Sequence, residues 1–146
     1  MIEIIEIPYQ ETFSVRHPVL REGKPIESCL FDGDDLKTTK HFGAFVDKKI
    51  VGVVSVYNNK NANFKAVNSF QIRGMAVLKK IQKKGFGELL VQHCEKYVTE
   101  QNGDLIWFNA REIAVGFYEK LNYVKWGDPF VIADVGIHYI MFKKLV

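Results

Sequence analysis

The first half of the chain carries the apolar and polar alternation of β-strands. The run IEIIEI (2–7) alternates loosely and ends at Pro8, which predicts a first or edge strand. Residues 42–58 hold two runs rich in Val, Ile and Phe around Asp-Lys-Lys, a pattern typical of a β-hairpin. Residues 69–78 (SFQIRGMAVL) predict a further strand. One face of that strand is expected to carry Phe70, Ile72, Gly74, Ala76 and Leu78.

The second half changes to helical periodicity. Apolar positions recur at intervals of three and four from Gly85 until Asn102-Gly103 ends the helix. They are Phe86, Leu89, Leu90, His93, Cys94, Tyr97 and Val98. A buried strand (105–110), a helix (112–121) and a last strand (138–145) follow. Strands first, then alternating strands and helices, predict an α+β fold with a mixed central β-sheet flanked by helices.

Two segments before the hairpin are less regular. Residues 11–21 predict a short helix that Pro18 must interrupt or end. Residues 22–41 show neither the helical nor the strand period. A stretch of that length inside a compact domain is more often a functional loop than a simple connection. We expect this loop to cover an acceptor site, with its acidic residues facing a positively charged amine; a solvated surface loop is the alternative. The acidic residues are Glu27, Asp32, Asp34 and Asp35.

Composition narrows the class of protein. A chain of 146 residues that is 47% hydrophobic can bury one core, so we expect a single domain over residues 1–146. Twenty Lys plus Arg against seventeen Asp plus Glu do not indicate nucleic-acid binding. Cys29 and Cys94 suggest neither a disulfide framework nor a metal site. No signal peptide or long apolar run is present, which predicts a cytoplasmic protein that does not bind membranes.

A glycine pair marks the point where the helical periodicity begins. Gly85 and Gly87 lie between a strand and a helix, where unpaired amides and the positive end of the helix dipole favour phosphate. Lysines surround the turn at 79, 80, 83 and 84. This pattern predicts a small polyanionic ligand; a tight turn with solvated lysines, or a nucleic-acid surface, is the alternative. Neither a Walker loop nor a dinucleotide fingerprint is present.

Two motifs give the chain a specific resemblance. The run QKKGFG (82–87) matches the Gln/Arg-x-x-Gly-x-Gly/Ala signature for acetyl-CoA, and NAREIAVGFYEKLNY (109–123) resembles a second motif that follows it in the same family. Both resemble the GNAT superfamily of N-acetyltransferases, most strongly over residues 69–126. The resemblance implies a GNAT-type domain in which the fourth and fifth strands splay apart. Gly74 would supply the bulge that opens them.

The resemblance also implies which residues bind acetyl-CoA, with no metal involved. Pantetheine would bond to backbone on the fourth strand, and pyrophosphate would lie on the amides of the glycine turn. Asn109 would bond pantetheine or cap the next helix. The expected cofactor-binding residues are Met75, Ala76, Val77, Gln82, Lys83, Lys84, Gly85, Phe86, Gly87, Asn109, Ala114 and Phe117.

The resemblance implies that Tyr118 lies near the thioester sulfur. It would give the leaving thiolate a proton or a hydrogen bond, because a phenol with a pKa of about 10 is protonated at neutral pH; a tyrosine packed on the core is the alternative. Residues 68–78 contain no carboxylate to act as base, so the base is either water or a group elsewhere; by type, His138 is the first candidate, ahead of His41 and His17. Arg73 and Arg111 either hold an acidic part of the acceptor or form surface ion pairs.

The predicted function is direct acetyl transfer from acetyl-CoA to a primary amine. The acceptor is either a small amine, including an amino sugar, or a protein amino group. A non-catalytic acyl-CoA-binding or sensing module is the alternative, and a homodimer is left open.

Overall fold

Seven strands form one sheet in the computed structural model, which describes residues 1–145. The sheet order is β1-β2-β3-β4-β5-β7-β6, and every neighbouring pair is antiparallel except β4 with β5. The strands are β1 Ile2–Ile7, β2 Lys40–Val46, β3 Lys49–Tyr57, β4 Ser69–Val77, β5 Leu105–Arg111, β6 Val124–Ile132 and β7 Gly136–Lys144. The helices are α1 Phe13–Leu20, α2 Phe86–Glu100 and α3 Val115–Lys120. The predicted α+β fold with a mixed sheet is confirmed.

The two parallel strands at the middle of the sheet part after a short contact. Their pairing covers three positions, from Ser69 opposite Leu105 to Gln71 opposite Trp107. Beyond Gln71, β4 leaves β5 and keeps its pairing with β3. The predicted splay of the fourth and fifth strands is therefore present.

Gly74 forms a bulge in β4. Arg73 pairs with Ser55 and Ala76 with Val53, so that two residues of β4 oppose one residue of β3. Gly74 has a φ of 66°, a conformation that glycine adopts without steric penalty. The extra residue reverses the strand's faces: Ile72 and Val77 pack in the main core, while Ala76 packs in a second cluster. The prediction of one continuous face over residues 70–78 is therefore wrong.

Two other elements differ from the sequence-based expectation. α1 continues for two residues beyond Pro18, so this proline neither ends nor interrupts it. β6 was not predicted, because Gly127-Asp-Pro129 breaks its apolar pattern. The structure accommodates these residues by a register shift between Trp126 and Phe130, on an edge strand where proline costs no inner-sheet hydrogen bond. Across residues 1–145, no helix is long and apolar enough to cross a membrane.

A buried ion pair fixes the long loop to the core. Arg16 of α1 is fully buried, and its Nη1 donates to Asp34 Oδ2 at 2.6 Å and to the carbonyl of Cys29 at 2.7 Å. Asp34 also accepts from the amide of Phe31 at 2.8 Å and from the hydroxyl of Tyr57. The loop is thus tied to α1 and to β3 through a single carboxylate.

This arrangement corrects the expectation for the acidic loop residues. Burial by itself raises the pKa of Asp34, but the hydrogen bonds from Arg16, Tyr57 and Phe31 outweigh burial, and the net pKa is lowered. Asp34 is therefore ionised and paired inside the protein, and it does not face an amine. Asp32 and Asp35 are exposed.

The same network contains one of the candidate bases. His41 is buried, with Nδ1 at 2.6 Å from Ser55 Oγ and Nε2 at 2.9 Å from the carbonyl of Asp34. Both ring nitrogens are therefore in internal hydrogen bonds. His17 is similarly engaged, with Nε2 at 2.7 Å from the carbonyl of Lys24.

Replacement of Asp34 by Asn should destabilise the protein by about 3 kcal/mol or more, because it leaves the Arg16 charge buried without a partner. Asp35→Asn, at an exposed neighbour, should change stability by less than about 0.5 kcal/mol. Urea unfolding at pH 7 measures both variants. Equal stabilities would contradict the role given to the ion pair.

The stability difference should also depend on pH. Because the folded-state pKa of Asp34 is lowered, its contribution is complete above the unfolded-state pKa of about 4 and is lost as the pH falls through the folded-state value. The difference in free energy of unfolding between wild type and Asp34→Asn should therefore decrease only when the pH falls below about 4.

Candidate active site

A cavity of about 590 Å³ opens where β4 and β5 part. Its walls come from both strands, from the start of α2 and from the segment that leads into α3. Thirteen of the fourteen residues predicted for the site line it; Lys84, which is exposed, is the exception. The lining residues are Met75, Ala76, Val77, Gln82, Lys83, Gly85, Phe86, Gly87, Asn109, Ala114, Phe117, Tyr118 and His138. Their individual roles stay predictions.

One end of the cavity is the amino terminus of α2. Gly85 precedes the helix with a φ of 88°, and no side chain caps the helix start. The first helical hydrogen bond runs from the amide of Leu89 to the carbonyl of Gly85 at 3.2 Å, which leaves the amides of the first turn without helical partners. Such amides, with the positive end of the helix dipole, form a site for phosphate.

The two glycines of the motif are required for different reasons. Gly85 needs its left-handed backbone, and a side chain there would meet open space. Gly87 is needed for close packing, since a Cβ atom there would lie 3.1 Å from Cζ of Phe117. The motif glutamine is internal to the protein: Gln82 Nε2 donates to the carbonyl of Val77 at 2.9 Å and holds the loop against the end of β4.

Tyr118 lies at the buried wall of the cavity. Its ring packs on Phe108 and Phe117, with centroids 4.3 and 5.0 Å apart, and 8% of the residue is exposed. Burial raises the pKa of Tyr118, and the neighbouring Cys94 thiol raises it further. The hydrogen bonds found within residues 1–145 include none to its hydroxyl. The phenol is therefore protonated at neutral pH and free to donate into the cavity.

His138 faces the cavity from β7. Its Nδ1 lies 2.9 Å from the carbonyl of Gly136, and a carbonyl can only accept, so Nδ1 carries the proton. In the neutral ring, Nε2 then has a free lone pair and can accept a proton. Asn109 also lines the cavity. Arg111 and Ala114 occupy the cap positions of the turns that follow β5, so Asn109 does not cap the next helix.

Two arginines that the sequence left between acceptor binding and surface ion pairs also lie at this site. Arg73 and Arg111 line the cavity from β4 and β5, and neither forms a salt bridge within the described residues. The surface ion pairs considered for them are therefore absent from this part of the chain. Arg73 directly precedes the bulge glycine and Arg111 ends β5. These positions beside the splayed strands were the sequence signal that could have assigned both arginines to the cavity.

Comparison with known proteins identifies the family. The model of the acetyltransferase (GNAT) family matches residues 2–123. The chain belongs to the GNAT acetyltransferase family. It is 30% identical over 145 residues to the uncharacterized N-acetyltransferase YitI of Bacillus subtilis (strain 168), over 99% of this chain and 97% of that protein.

Solved structures of other acetyltransferases share the fold. An aminoglycoside 6'-N-acetyltransferase complexed with coenzyme A superimposes with a TM-score of 0.78 at 16% identity, over 99% of this chain and 97% of that one. The ribosomal-protein-S18-alanine N-acetyltransferase from Escherichia coli gives a TM-score of 0.76 at 14% identity, over 99% and 94%. The predicted GNAT fold and acetyltransferase class are confirmed at the level of the family.

The bulge of this GNAT acetyltransferase can be tested with a matched pair of glycines. Gly74 and Gly23 both have positive φ values, but a Cβ atom at Gly74 would lie 3.1 Å from Phe31 and 3.2 Å from Arg16 Nε, whereas one at Gly23 would meet nothing within 4 Å. Gly23→Ala should cost about 1–2 kcal/mol from backbone strain alone. Gly74→Ala should cost about 1–3 kcal/mol more, because it also overpacks the site. Urea unfolding compares them, and equal losses would contradict this account of the bulge.

Proposed function

We propose that this protein transfers an acetyl group from acetyl-CoA directly to a primary amine. The observation that carries the proposal is one continuous cavity that joins the unpaired amides of α2 to the free hydroxyl of Tyr118. A phosphate-binding helix terminus and a buried proton donor in one cleft suit a reaction that binds a phosphorylated carrier and releases a thiolate from it.

The residues at the cleft fit acetyl-CoA. The turn from Lys83 to Gly87 offers backbone amides and lysine charge for the pyrophosphate. Beyond Gln71, the edge of β4 that faces β5 has no pairing, so the backbone of Met75 to Val77 is available to pantetheine. Of the residues predicted to bind the cofactor, Gln82 acts indirectly, because its amide is committed to Val77. The described residues contain no group of three or more side chains able to hold a metal ion.

Acetyl-CoA supplies an acetyl group activated as a thioester. The protein must keep the acceptor amine neutral, hold it beside the thioester and protonate the departing sulfur. Tyr118 holds a proton on its hydroxyl at neutral pH because burial raises its pKa, and that proton passes to sulfur as the carbon–sulfur bond breaks. The Nε2 atom of His138, or water in the cavity, takes the proton that the amine loses.

The acceptor is a small amine or a protein amino group. One fold-sharing protein is named for aminoglycosides and another for the alanine of a ribosomal protein, so the fold does not select between these classes. The alternative, an acyl-CoA-binding module without catalysis, does not need a protonated hydroxyl directed into the cleft. We further propose that residues 1–146 form one catalytic domain; a homodimer and a cytoplasmic location stay predictions.

Acetyl-CoA binding is tested by an isosteric pair at Gly85. Asn and Asp both tolerate left-handed backbone, and they differ by one negative charge. Gly85→Asp should weaken acetyl-CoA binding at least about tenfold relative to Gly85→Asn, because like charges placed side by side cost several kcal/mol. Calorimetric titration measures both affinities. Thermal unfolding verifies that both variants are folded. Equal affinities of the two variants for acetyl-CoA would contradict the placement of the pyrophosphate at this turn.

The role of Tyr118 is tested by removing its hydroxyl. Tyr118→Phe should lower kcat by about 100-fold and leave acetyl-CoA affinity unchanged, since general acid catalysis acts as charge develops on sulfur. Tyr123→Phe is the matched control, because its hydroxyl bonds Glu95 at 2.8 Å and does not line the cavity. Initial rates of thiol release measure both variants. A change in kcat below about threefold for Tyr118→Phe would assign this tyrosine to packing.

A further inference from the structure

The arginines of this chain are concentrated at one place. There are four arginines in 146 residues, Arg16, Arg21, Arg73 and Arg111, and they come from four separate parts of the sequence. Three of them stack on one ring: the Cζ atoms of Arg16, Arg21 and Arg73 lie 4.0, 4.9 and 5.1 Å from the ring centroid of Phe31. Arg111 joins Arg73 in lining the cavity. We refer to these four residues as the arginine cluster.

Most of the positive charge in the cluster is not neutralised by the protein. Asp34 pairs with Arg16 alone. Arg21 donates to the carbonyls of Leu20 and Ser28, which carry no net charge, and no carboxylate within residues 1–145 pairs with Arg21, Arg73 or Arg111. Within the described residues, three positive charges of the cluster therefore have no carboxylate partner.

The electrostatics of the cluster agree with its geometry. Burial is the largest effect and lowers the pKa of Arg21; Cys29 opposes it, and the charges of Arg111, Arg73 and Arg16 each lower the pKa further. Like charges held close together repel one another, and this repulsion does not stabilise the folded protein. A bound anion would relieve it.

The cluster lies away from the phosphate end of the cavity. β4 runs from Arg73 through the bulge to Val77 and then into the turn before α2, so about 13 Å of strand separates Arg73 from that turn. Arg111 pairs with His138 across β5 and β7. The carboxylate that lines the cavity, Glu88, is in the first turn of α2. Arg73 and Arg111 thus line the part of the cavity left for the acceptor.

We propose that the acceptor is a small primary amine that carries its own carboxylate or phosphate group, bound by Arg73 and Arg111. This inference rests on the proposed acetyl transfer. The planar guanidinium forks of arginine match both kinds of anion and favour them over a lysine-type point charge. Arg21 adds positive charge that acts on the same region, and Phe31 stacks against Arg21 and Arg73. A polycationic acceptor would be repelled from this end.

The cluster also offers an answer to the missing carboxylate base. A nearby positive charge disfavours the protonated form of an amine, so the arginines lower the pKa of an acceptor held among them. The anionic group of the acceptor provides binding, while its amino group loses its proton more readily. His138 or water can then accept that proton without a glutamate on β4.

The test uses amines that differ only in the anionic group. β-Alanine is compared with β-alaninamide, and phosphoethanolamine with ethanolamine; spermidine serves as the polycation. The anionic member of at least one pair should have a kcat/KM at least tenfold above that of its neutral partner, and spermidine should be poorest. The pair that shows the difference identifies carboxylate or phosphate as the source of the charge. Equal or better use of the neutral amines or of spermidine would overturn the proposal.

Variants then assign the difference to the arginines. Arg73→Gln and Arg111→Gln should each raise KM for the anionic amine at least tenfold and leave KM for acetyl-CoA unchanged, and Arg→Lys should recover part of the loss. Lys96→Gln removes one exposed charge from α2 as the matched control. Calorimetric titration with acetyl-CoA verifies that each variant is folded. Unchanged discrimination between the paired amines in both arginine variants would contradict the proposal.

Failure of the transfer reaction is separable from failure of this inference. If acetyl-CoA binds and no amine is acetylated, the proposed catalytic function is wrong. Calorimetric titration of β-alanine and β-alaninamide, and of the phosphate pair, into the CoA-saturated protein then decides the anion preference alone. Binding of an anionic member at least tenfold tighter supports the arginine cluster as an anion site, and equal binding excludes it.

Discussion

The fully buried guanidinium of Arg16 is the interaction on which the architecture of the cleft depends. A charge of this kind is stable inside a protein only when it is paired and hydrogen-bonded. Asp34, the carbonyl of Cys29 and Ser55 satisfy its Nη atoms, and Phe31 covers its face at 4.0 Å. Its Nε has no hydrogen-bond partner among the described residues and lies beside Gly74. The ion pair and the bulge therefore occupy a single packing site.

The bulge in turn determines what the sheet can bind. A strand that leaves its neighbour exposes backbone donors and acceptors, and buried groups of this kind are stable only if something else bonds them. Here the exposed edge of β4 faces a cavity that is lined at one end by the amino terminus of α2 and at the other by Arg73 and Arg111. The pairing of β4 with β5 ends where the backbone groups of β4 can instead hydrogen-bond to the amide groups of a ligand. The hydrogen bonds that β4 and β5 do not make with each other are therefore available to a bound ligand.

The sequence predicted the parts of the molecule that depend on neighbouring residues. The glycine turn, the α2 periodicity, the hairpin and the strand before the cleft are local patterns. The two motifs contain nine of the thirteen predicted residues that line the cavity. The errors share a different cause. Asp34 lies eighteen residues from Arg16, so nothing near it in the chain indicates its partner. The faces of β4 were misassigned because one bulge residue reverses the alternation. Arg73 and Arg111 were considered for an acidic acceptor group, but the convergence of all four arginines was not predicted, because net charge sums over the chain and does not record which charges meet.

The charges of the cleft are divided according to the chemistry of each side chain. Around the α2 turn, lysines on flexible stems add point charge to fixed backbone amides, an arrangement suited to a phosphate chain whose position the helix already defines. At the other end, the guanidinium of Arg73 stacks on the ring of Phe31 at 5.1 Å, and this contact restricts its orientation, which suits the anion site proposed above. Tyr118 lies in the cavity wall as a neutral donor, because burial raises its pKa. In the proposed reaction, negative charge that develops on the leaving sulfur would meet a hydrogen-bond donor that is in place before the reaction, and no reorganisation of water would be needed to supply it.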